Sequence, residues 1–439
     1  MHKFDLNGWK YGESRIEDLA EQVRRHVPGA KLPTHQGGKA FGLSFARTLA
    51  NDVFMVLEWD VGTRSYPLCL GDLQRKYHDG AFVRSNAQDE DWGDPRAGVH
   101  ESKYARFAYN FQQVVDQLMA DCGGVVVQSY CPGLGVVVDL GWSELLQRNI
   151  LRVAVGGASQ EGRGTVYTSP TWDNEASVGL YDAHTGEAIV DAKTGHFDVA
   201  RLVDKMVKVV VPRLIHWDID FGLQFEFVVE DTKMTQTMRA SYGEKYEPFD
   251  TLVQIRPSPG FLQGAVDLPA QSGTLLATTG KVNKPGSVCG DLVCVKQSGS
   301  DTLFLATRLY LAGQCEAEFP EEVSSVKGMV DGKILVWESS SLQRYGGSFY
   351  QVLGAARLGV IAQLSGDAVF INSAHGIRLP VHRTNEYIKP VFEEARDSGL
   401  LLAIGNDAVF NLLRESHWGT TPLTLQILSD GLVGQVYQL

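Results

Sequence analysis

The stretch "FVRSNAQDEDWGDPRAGVHES", running from Phe82 to Ser102, decides how this chain is read. An arginine follows a short apolar run, and acids and glycines follow the arginine. Arg84 therefore stands at the end of a predicted strand, ahead of the small or polar Ser85, Asn86 and Gln88. A guanidinium there can fork onto phosphate oxygens, and a glycine-containing loop lets backbone approach them. The same residues also describe a surface arginine at a turn. The rest of the chain has to separate the two.

Working outward, composition sets limits. The 439 residues are enough for two or three domains and a large core. Apolar residues make up 44% and charged residues 21%, an ordinary globular balance. The formal net charge of −12 argues against a broad nucleic-acid or anionic-membrane surface, and leaves room for a local cationic pocket. The opening "MHKFDLNGWKYGES" has no signal-peptide pattern. No apolar run approaches the ~18–20 residues of a membrane span. The expectation is a soluble, cytoplasmic protein that binds neither nucleic acid nor membrane. The cysteines Cys69, Cys122, Cys131, Cys289, Cys294 and Cys315 are scattered, so reduced thiols are expected. Cys289 and Cys294 lack a second close pair to complete a zinc set.

Periodicity predicts a mixed chain. Residues 14–27 read as an amphipathic helix with Ser14 as a possible cap. Residues 52–60 read as a strand, and 101–122 as a helix stopped by Gly123 and Gly124. Strands are expected at 125–130, 135–140, 150–155, 178–182 and 187–191, then a helix at 197–211. "LQFEFVVED" (223–231) and "LVQIRPSPG" (252–260) are two more strand candidates. The fold class this implies is α+β. The Pro- and Gly-rich 256–273 is the best boundary, giving units 1–258 and 259–439. The second reads as a smaller α/β domain, with pieces at 332–340, 355–363 and 367–376, a helix at 388–397 and a strand at "LLLAIGN".

Several scattered residues suit phosphoryl transfer from ATP, which needs cations for the polyphosphate and hard oxygen ligands for Mg²⁺. A "GxxxxGK[ST]" phosphate loop is missing. "HQGGKAFGLSFA" (35–46) sets Lys39 after two glycines at a helix start, which suits a phosphate or simply an exposed lysine. "VVVQSYCPG" (125–133) is a strand feeding a hinge at Gln128, or a core strand. Gln224 and Glu226 share one face of their strand, and Gln254 and Arg256 share one face of theirs. An inward carboxylate is costly unless it pairs or binds metal, so Glu226 is either a ligand or the partner of Arg256 in an ion pair.

Taken in order, these pieces resemble the ATP-binding part of the pyruvate phosphate dikinase and phosphoenolpyruvate synthase family, an ATP-grasp-type fold. The "GGKxxxL" segment is matched by Gly37, Gly38, Lys39 and Leu43. "VRSSAxxED…AGxxES/T" is matched by Val83, Arg84, Ser85, Ala87, Glu90, Asp91, Ala97, Gly98, Glu101 and Ser102. "VVVQ" follows at 125–128, and "DIEF…LxxLQxRP" is matched by Glu226, Phe227, Gln254, Arg256 and Pro257. The resemblance implies an ATP-dependent phosphotransferase. Lys39, Arg84, Gln128, Glu226, Gln254 and Arg256 would hold nucleotide, Glu226 and Gln254 would hold Mg²⁺, and Arg84 and Arg256 would act in catalysis. The acceptor would be a small molecule, a protein side chain or an internal histidine. Gln224 stands where the family has an acid, and Asn86 where it has Ser or Gly. The second unit resembles the family's phosphohistidine "swivel" domain only faintly. Its "GGxxSHxAI" motif is missing, and His375 lies nearest the expected place, ahead of His382 and His417. His375 is equally readable as a turn histidine. The rival is a nucleotide-binding regulatory or scaffold protein that has lost phosphotransfer.

Overall fold

The structure is a computed structural model. It describes residues 2–6, 8–9, 13–78, 80–87, 91–92, 102–131, 133–155, 165–169, 181–182, 193–194, 197–230, 236–237, 240–241, 243, 249–258, 267–279, 282, 285–295, 334–337, 359–363, 400–404 and 423–439. His375, His382, His417 and the expected helix at 388–397 lie outside the described residues, as do 178–180 and 187–191.

Two antiparallel sheets build the first half. The smaller has the order Trp59–Thr63, Gly124–Ser129, Gly80–Ser85, Ser102–Arg106. Its Ala81, Val83, Val125 and Val127 face helices Leu70–Tyr77 and Phe111–Cys122, burying Leu73, Phe111, Val115 and Leu118. The larger has the order Asp250–Pro257, Leu223–Val229, Leu134–Ser143, Arg148–Val155, Thr165–Ser169, Tyr181–Asp182. Period-two alternation sends Val136, Val138, Leu151, Val153, Phe225, Phe227 and Ile255 into the main core. The opposite face collects the polar residues of the same strands.

Helix Gly38–Ala50 lies between the sheets and is apolar almost all round, as a helix buried on both sides must be. Phe41, Phe45 and Leu49 enter the main core, while Ala40 and Leu43 meet Val126 of the smaller sheet. Gly42 lets it press on the larger sheet. A Cβ there would stand 2.4 Å from the carbonyl oxygen of Ile255. Gly42→Ala is expected to destabilise the fold by about 1–3 kcal/mol through overpacking, after its helix propensity has offset about 1 kcal/mol. Urea unfolding measures this; an unchanged midpoint would mean the helix does not pack this closely.

A third sheet has the order Thr274–Thr279, Gly434–Gln438, Thr424–Asp430, Pro285–Val295, Ile334–Trp337, Gly359–Gln363, Leu400–Ile404. Its last four strands run parallel and the others antiparallel. The turn of its hairpin reaches the larger sheet. Asp430 accepts from the Ser143 hydroxyl at 2.5 Å and the Leu145 amide at 3.1 Å, and Leu432 and Val433 cluster with Ile150.

The α+β class stands, but several boundaries differ. Residues 101–122 are not one helix: Ser102–Arg106 pairs with Gly80–Ser85, and the helix starts at Phe111. Ser14 is inside a helix that begins at Glu13, so it is no cap. The strand expected at 52–60 is Trp59–Thr63, with Met55 making a lone bridge to Thr251. The helix at 197–211 is a two-residue strand, a helix from Val199 to Lys205, a π-helical turn from Met206 to Val210 and a helix from Val211 to His216. Pro212 explains the turn: it has no N–H for the α-helical ladder, and its ring crowds the carbonyl four residues back. No helix among the described residues is long and apolar enough to cross a membrane. Cys69, Cys122, Cys131 and Cys289 are free thiols.

Candidate functional site

The smaller sheet's Arg84 and Gln128 and the larger sheet's polar face meet beside the start of helix Gly38–Ala50. Gly37 precedes that helix with φ +97, and a Cβ on it would stand 2.5 Å from Asn86 Oδ1. Only glycine suits both constraints. Asn86 fastens the turn: its Oδ1 accepts from the Ala40 amide at 3.1 Å, and its Nδ2 donates to Gln36 O at 2.5 Å. That is a local reason for asparagine at this position. The turn aims Lys39 inward, where Nζ donates to Ser85 Oγ at 3.0 Å and stands 3.9 Å from the Asp91 carboxylate.

Strands Leu223–Val229 and Asp250–Pro257 pair with Gln224 opposite Arg256 and Glu226 opposite Gln254. Immediately beyond, the register shifts, because Phe227 pairs with Leu252 and skips Val253. This bulge leaves the Val253 carbonyl free of the ladder, and Arg84 Nη1 donates to it at 3.0 Å. Arg84 Nη1 also reaches Gln128 Oε1 at 3.4 Å, and its Nη2 reaches Glu226 Oε2 at 3.4 Å and Gln254 Oε1. Arg256 Nη2 stands 3.2 Å from Glu226 Oε1, an ion pair between the two. Arg256 Nη1 donates to Asp91 Oδ1 at 3.1 Å, and Gln254 Nε2 donates to Asp91 Oδ2 at 2.5 Å.

One row crosses the larger sheet. Arg256 donates to Gln224 Oε1 from Nε at 2.9 Å and from Nη2 at 2.6 Å. Gln224 Nε2 donates to Asp139 Oδ1 at 2.7 Å, and Arg152 donates to Asp139 Oδ2 from Nε at 3.2 Å and from Nη2 at 3.0 Å. Arg152 Nη1 then reaches Gly431 O at 2.9 Å. The row gives a local reason for glutamine at position 224. An amide can accept from Arg256 and donate to Asp139 at once, whereas an ionised carboxylate only accepts.

Lys39, Arg84, Gln128, Glu226, Gln254 and Arg256 thus stand together. Sequence reasoning missed Asp91, Asn86, Asp139 and Arg152 as members. A lone acid in "GVVVDLGW" and a lone arginine in "NILRVAV" were the available signals, since a charge in an apolar strand needs a partner. Burial pushes the Asp91 carboxyl up, but Lys39, Arg256 and Arg84 together outweigh it and hold the group below the usual carboxylate range. Burial pushes the Arg256 guanidinium down, while Glu226 and Asp91 raise it above its ordinary value, so it stays charged. Arg84 Nε and Gln128 Nε2 are buried and have no hydrogen-bond partner among the described residues. Beside the Gly37 turn lies a cavity of about 590 Å³, lined in part by His35, Arg64, Tyr66 and Asn86.

No family model matches this chain, and no curated protein matches it. Solved structures do. The D-alanine–D-alanine ligase from Bacillus anthracis complexed with ATP matches at TM-score 0.30 and 10% identity, over 57% of this chain and 64% of that one. The ADP complex of purK, N5-carboxyaminoimidazole ribonucleotide synthetase, matches at 0.30 and 9%, over 56% and 51%. The macrocyclase MdnC from Microcystis aeruginosa, bound with precursor peptide MdnA, matches at 0.26 and 9%, over 56% and 61%. The matched region spans about half to two thirds of those chains. Such TM-scores say nothing about chemistry. The fold is α+β: two antiparallel sheets with a buried helix and a polar cluster between them.

Proposed function

We propose that the chain is an ATP-dependent phosphotransferase resembling the nucleotide half of a dikinase. Lys39, Arg84 and Arg256 hold phosphates in this reading. The observation that carries it is the pair of buried, unpartnered donors, Arg84 Nε and Gln128 Nε2, beside three clustered cations. A buried unmet donor costs about 1–3 kcal/mol, and a polyphosphate is rich in acceptor oxygens. The narrower likeness to the dikinase family rests on the sequence motifs.

The donor set suits Mg²⁺ in chemistry, for Glu226 supplies a carboxylate and Gln254 an amide oxygen. Both now face arginines, and no group of three or more His, Cys, Asp or Glu that would hold a metal stands among the described residues. When bound with nucleotide, Mg²⁺ would neutralise phosphate charge. Calorimetry is expected to show no saturable Mg²⁺ binding without nucleotide and clear binding with it. Glu226→Gln is expected to weaken the metal-dependent part about tenfold or more, one lost charge-assisted contact. Tight Mg²⁺ binding by the nucleotide-free protein would refute this assignment.

The acceptor is a small molecule or a protein side chain, with His375 in the unit 259–439 as the internal candidate. A second reading is a nucleotide-binding regulator without phosphotransfer. Gln224 favours it, since its amide lies between Arg256 and Asp139 and brings no charge to the site. Incubation with ATP labelled at the β and γ positions tests both. AMP indicates dikinase-like chemistry, ADP a simple kinase, and bound but unchanged ATP the regulator. Failure to bind ATP, ADP or AMP in calorimetry overturns both readings.

A further inference from the structure

Asp91 is central to the cluster, yet it is none of the residues proposed to touch phosphate or metal. Only 5% of its surface is exposed. It accepts from Gln254 Nε2 at 2.5 Å and Arg256 Nη1 at 3.1 Å, with Lys39 Nζ at 3.9 Å. Its backbone has φ +67, a left-handed conformation that ordinary side chains avoid and aspartate tolerates. The next residue holds it there. Trp92 is fully buried, edge-on to Trp9, Phe41 and Phe45, and its carbonyl accepts from Trp9 Nε1 at 2.9 Å. The tryptophan is a peg, and the carboxylate beside it is delivered to one place.

That carboxylate decides which way the Gln254 amide points. With Nε2 turned to Asp91, Oε1 faces Arg84. A flipped amide would set its carbonyl against the carboxylate and its NH₂ against the guanidinium, losing both bonds. The carboxylate also lets Arg256 and Lys39 stand close despite their like charge.

We propose that Asp91 is a positioning residue, which turns the Gln254 carbonyl oxygen toward the ligand and holds Arg256 and Lys39 in place without touching the ligand itself. This rests on the nucleotide reading above. Two consequences follow. Losing the charge removes an anion from beside the phosphates, while losing the acceptor frees the Gln254 amide.

Asp91→Asn therefore separates positioning from mere structural support. In EDTA its ATP affinity is expected to equal or modestly exceed that of the wild type. The Mg²⁺ concentration needed for metal-dependent tightening is expected to rise about tenfold or more, as one charge-assisted bond is lost. A merely structural residue would weaken both together. The second readout needs no ligand: the side-chain amide of Gln254 in ¹⁵N NMR, assigned by its loss in Gln254→Glu. It should be shielded from solvent exchange in the wild type and exchange about ten times faster or more in Asp91→Ser, which removes the carboxyl acceptor that Asp91→Asn would keep as a carbonyl. Asp91→Ser, which adds no competing amide, also carries the two binding expectations should Asp91→Asn fail to fold. An unchanged amide, an unchanged Mg²⁺ requirement, or parallel loss of both affinities overturns the proposal. Should the wild type bind no ATP, the nucleotide reading falls, and the amide signal still decides whether Asp91 orients Gln254.

Discussion

Arg152→Ala is expected to destabilise the protein by about 3–5 kcal/mol, the cost of breaking a buried ion pair by removing one partner. Arg152 is 2% exposed and Asp139 1%. The guanidinium gives Asp139 two bonds and Gly431 O a third, so its removal takes the charge partner from a buried carboxylate and a donor from a carbonyl. Asp139 would keep only the neutral Gln224 amide among the contacts described above. Urea unfolding should show a lower midpoint with an unchanged slope, the sign of lost stability without a change in unfolding extent. The double replacement Asp139→Leu with Arg152→Met should cost less than Arg152→Ala alone, because apolar residues of similar volume often replace a buried pair at little loss. A single-variant effect within about 0.5 kcal/mol, typical of a surface site, would mean the pair is not buried as described.

Arg84→Ala is expected to weaken nucleotide binding about 10- to 100-fold, the worth of a charge-assisted contact of about 1.5–3 kcal/mol. Folding should suffer less, because Glu226 keeps Arg256 as its partner. Arg84→Lys should recover only part of the loss. A lysine offers one point charge and cannot serve Val253 O, Gln254 and a phosphate with a planar fork. Arg256→Ala should weaken binding comparably and harm stability more, since it also frees Asp91 and Gln224. Calorimetry with ATP, beside unfolding curves for each variant, separates the two effects. Wild-type affinity in both alanine variants would place the phosphate site elsewhere.

Much of this cluster is legible in the sequence because strands obey a period of two. Gln224 and Glu226, and Gln254 and Arg256, can be assigned to shared faces from spacing alone. The glycine-started run at Lys39 likewise reads as the start of a helix. What spacing cannot supply is register between distant strands. Asp139 faces Gln224 across 85 residues, and nothing local in either strand announces the other. The bulge at Val253 is equally silent, since an extra residue looks like any other until its partner strand is known. "SKYAR" misleads for a different reason: its apolar spacing continues that of the helix after it, and only pairing with Gly80–Ser85 makes it a strand. Asp91 hides in a run of acids, where charge suggests solvent, and Trp92 is what carries it inside.

The bond between Arg152 and Gly431 spans 279 residues, and that between Ser143 and Asp430 spans 287. At roughly 5–20 residues per second of synthesis, Gly431 follows Arg152 by on the order of ten to sixty seconds. For that interval the emerging larger sheet can join Asp139 to Arg152, which lie on adjacent strands, but has no hairpin to close against. Of its cluster Ile150 has only Leu6 and Leu146 for the same time, because Leu432 and Val433 have yet to be made. The nascent sheet thus waits on the ribosome with one apolar edge and one guanidinium unfinished. The speed of translation across this interval, and not only the stability of the finished fold, sets how long that surface is open to wrong partners.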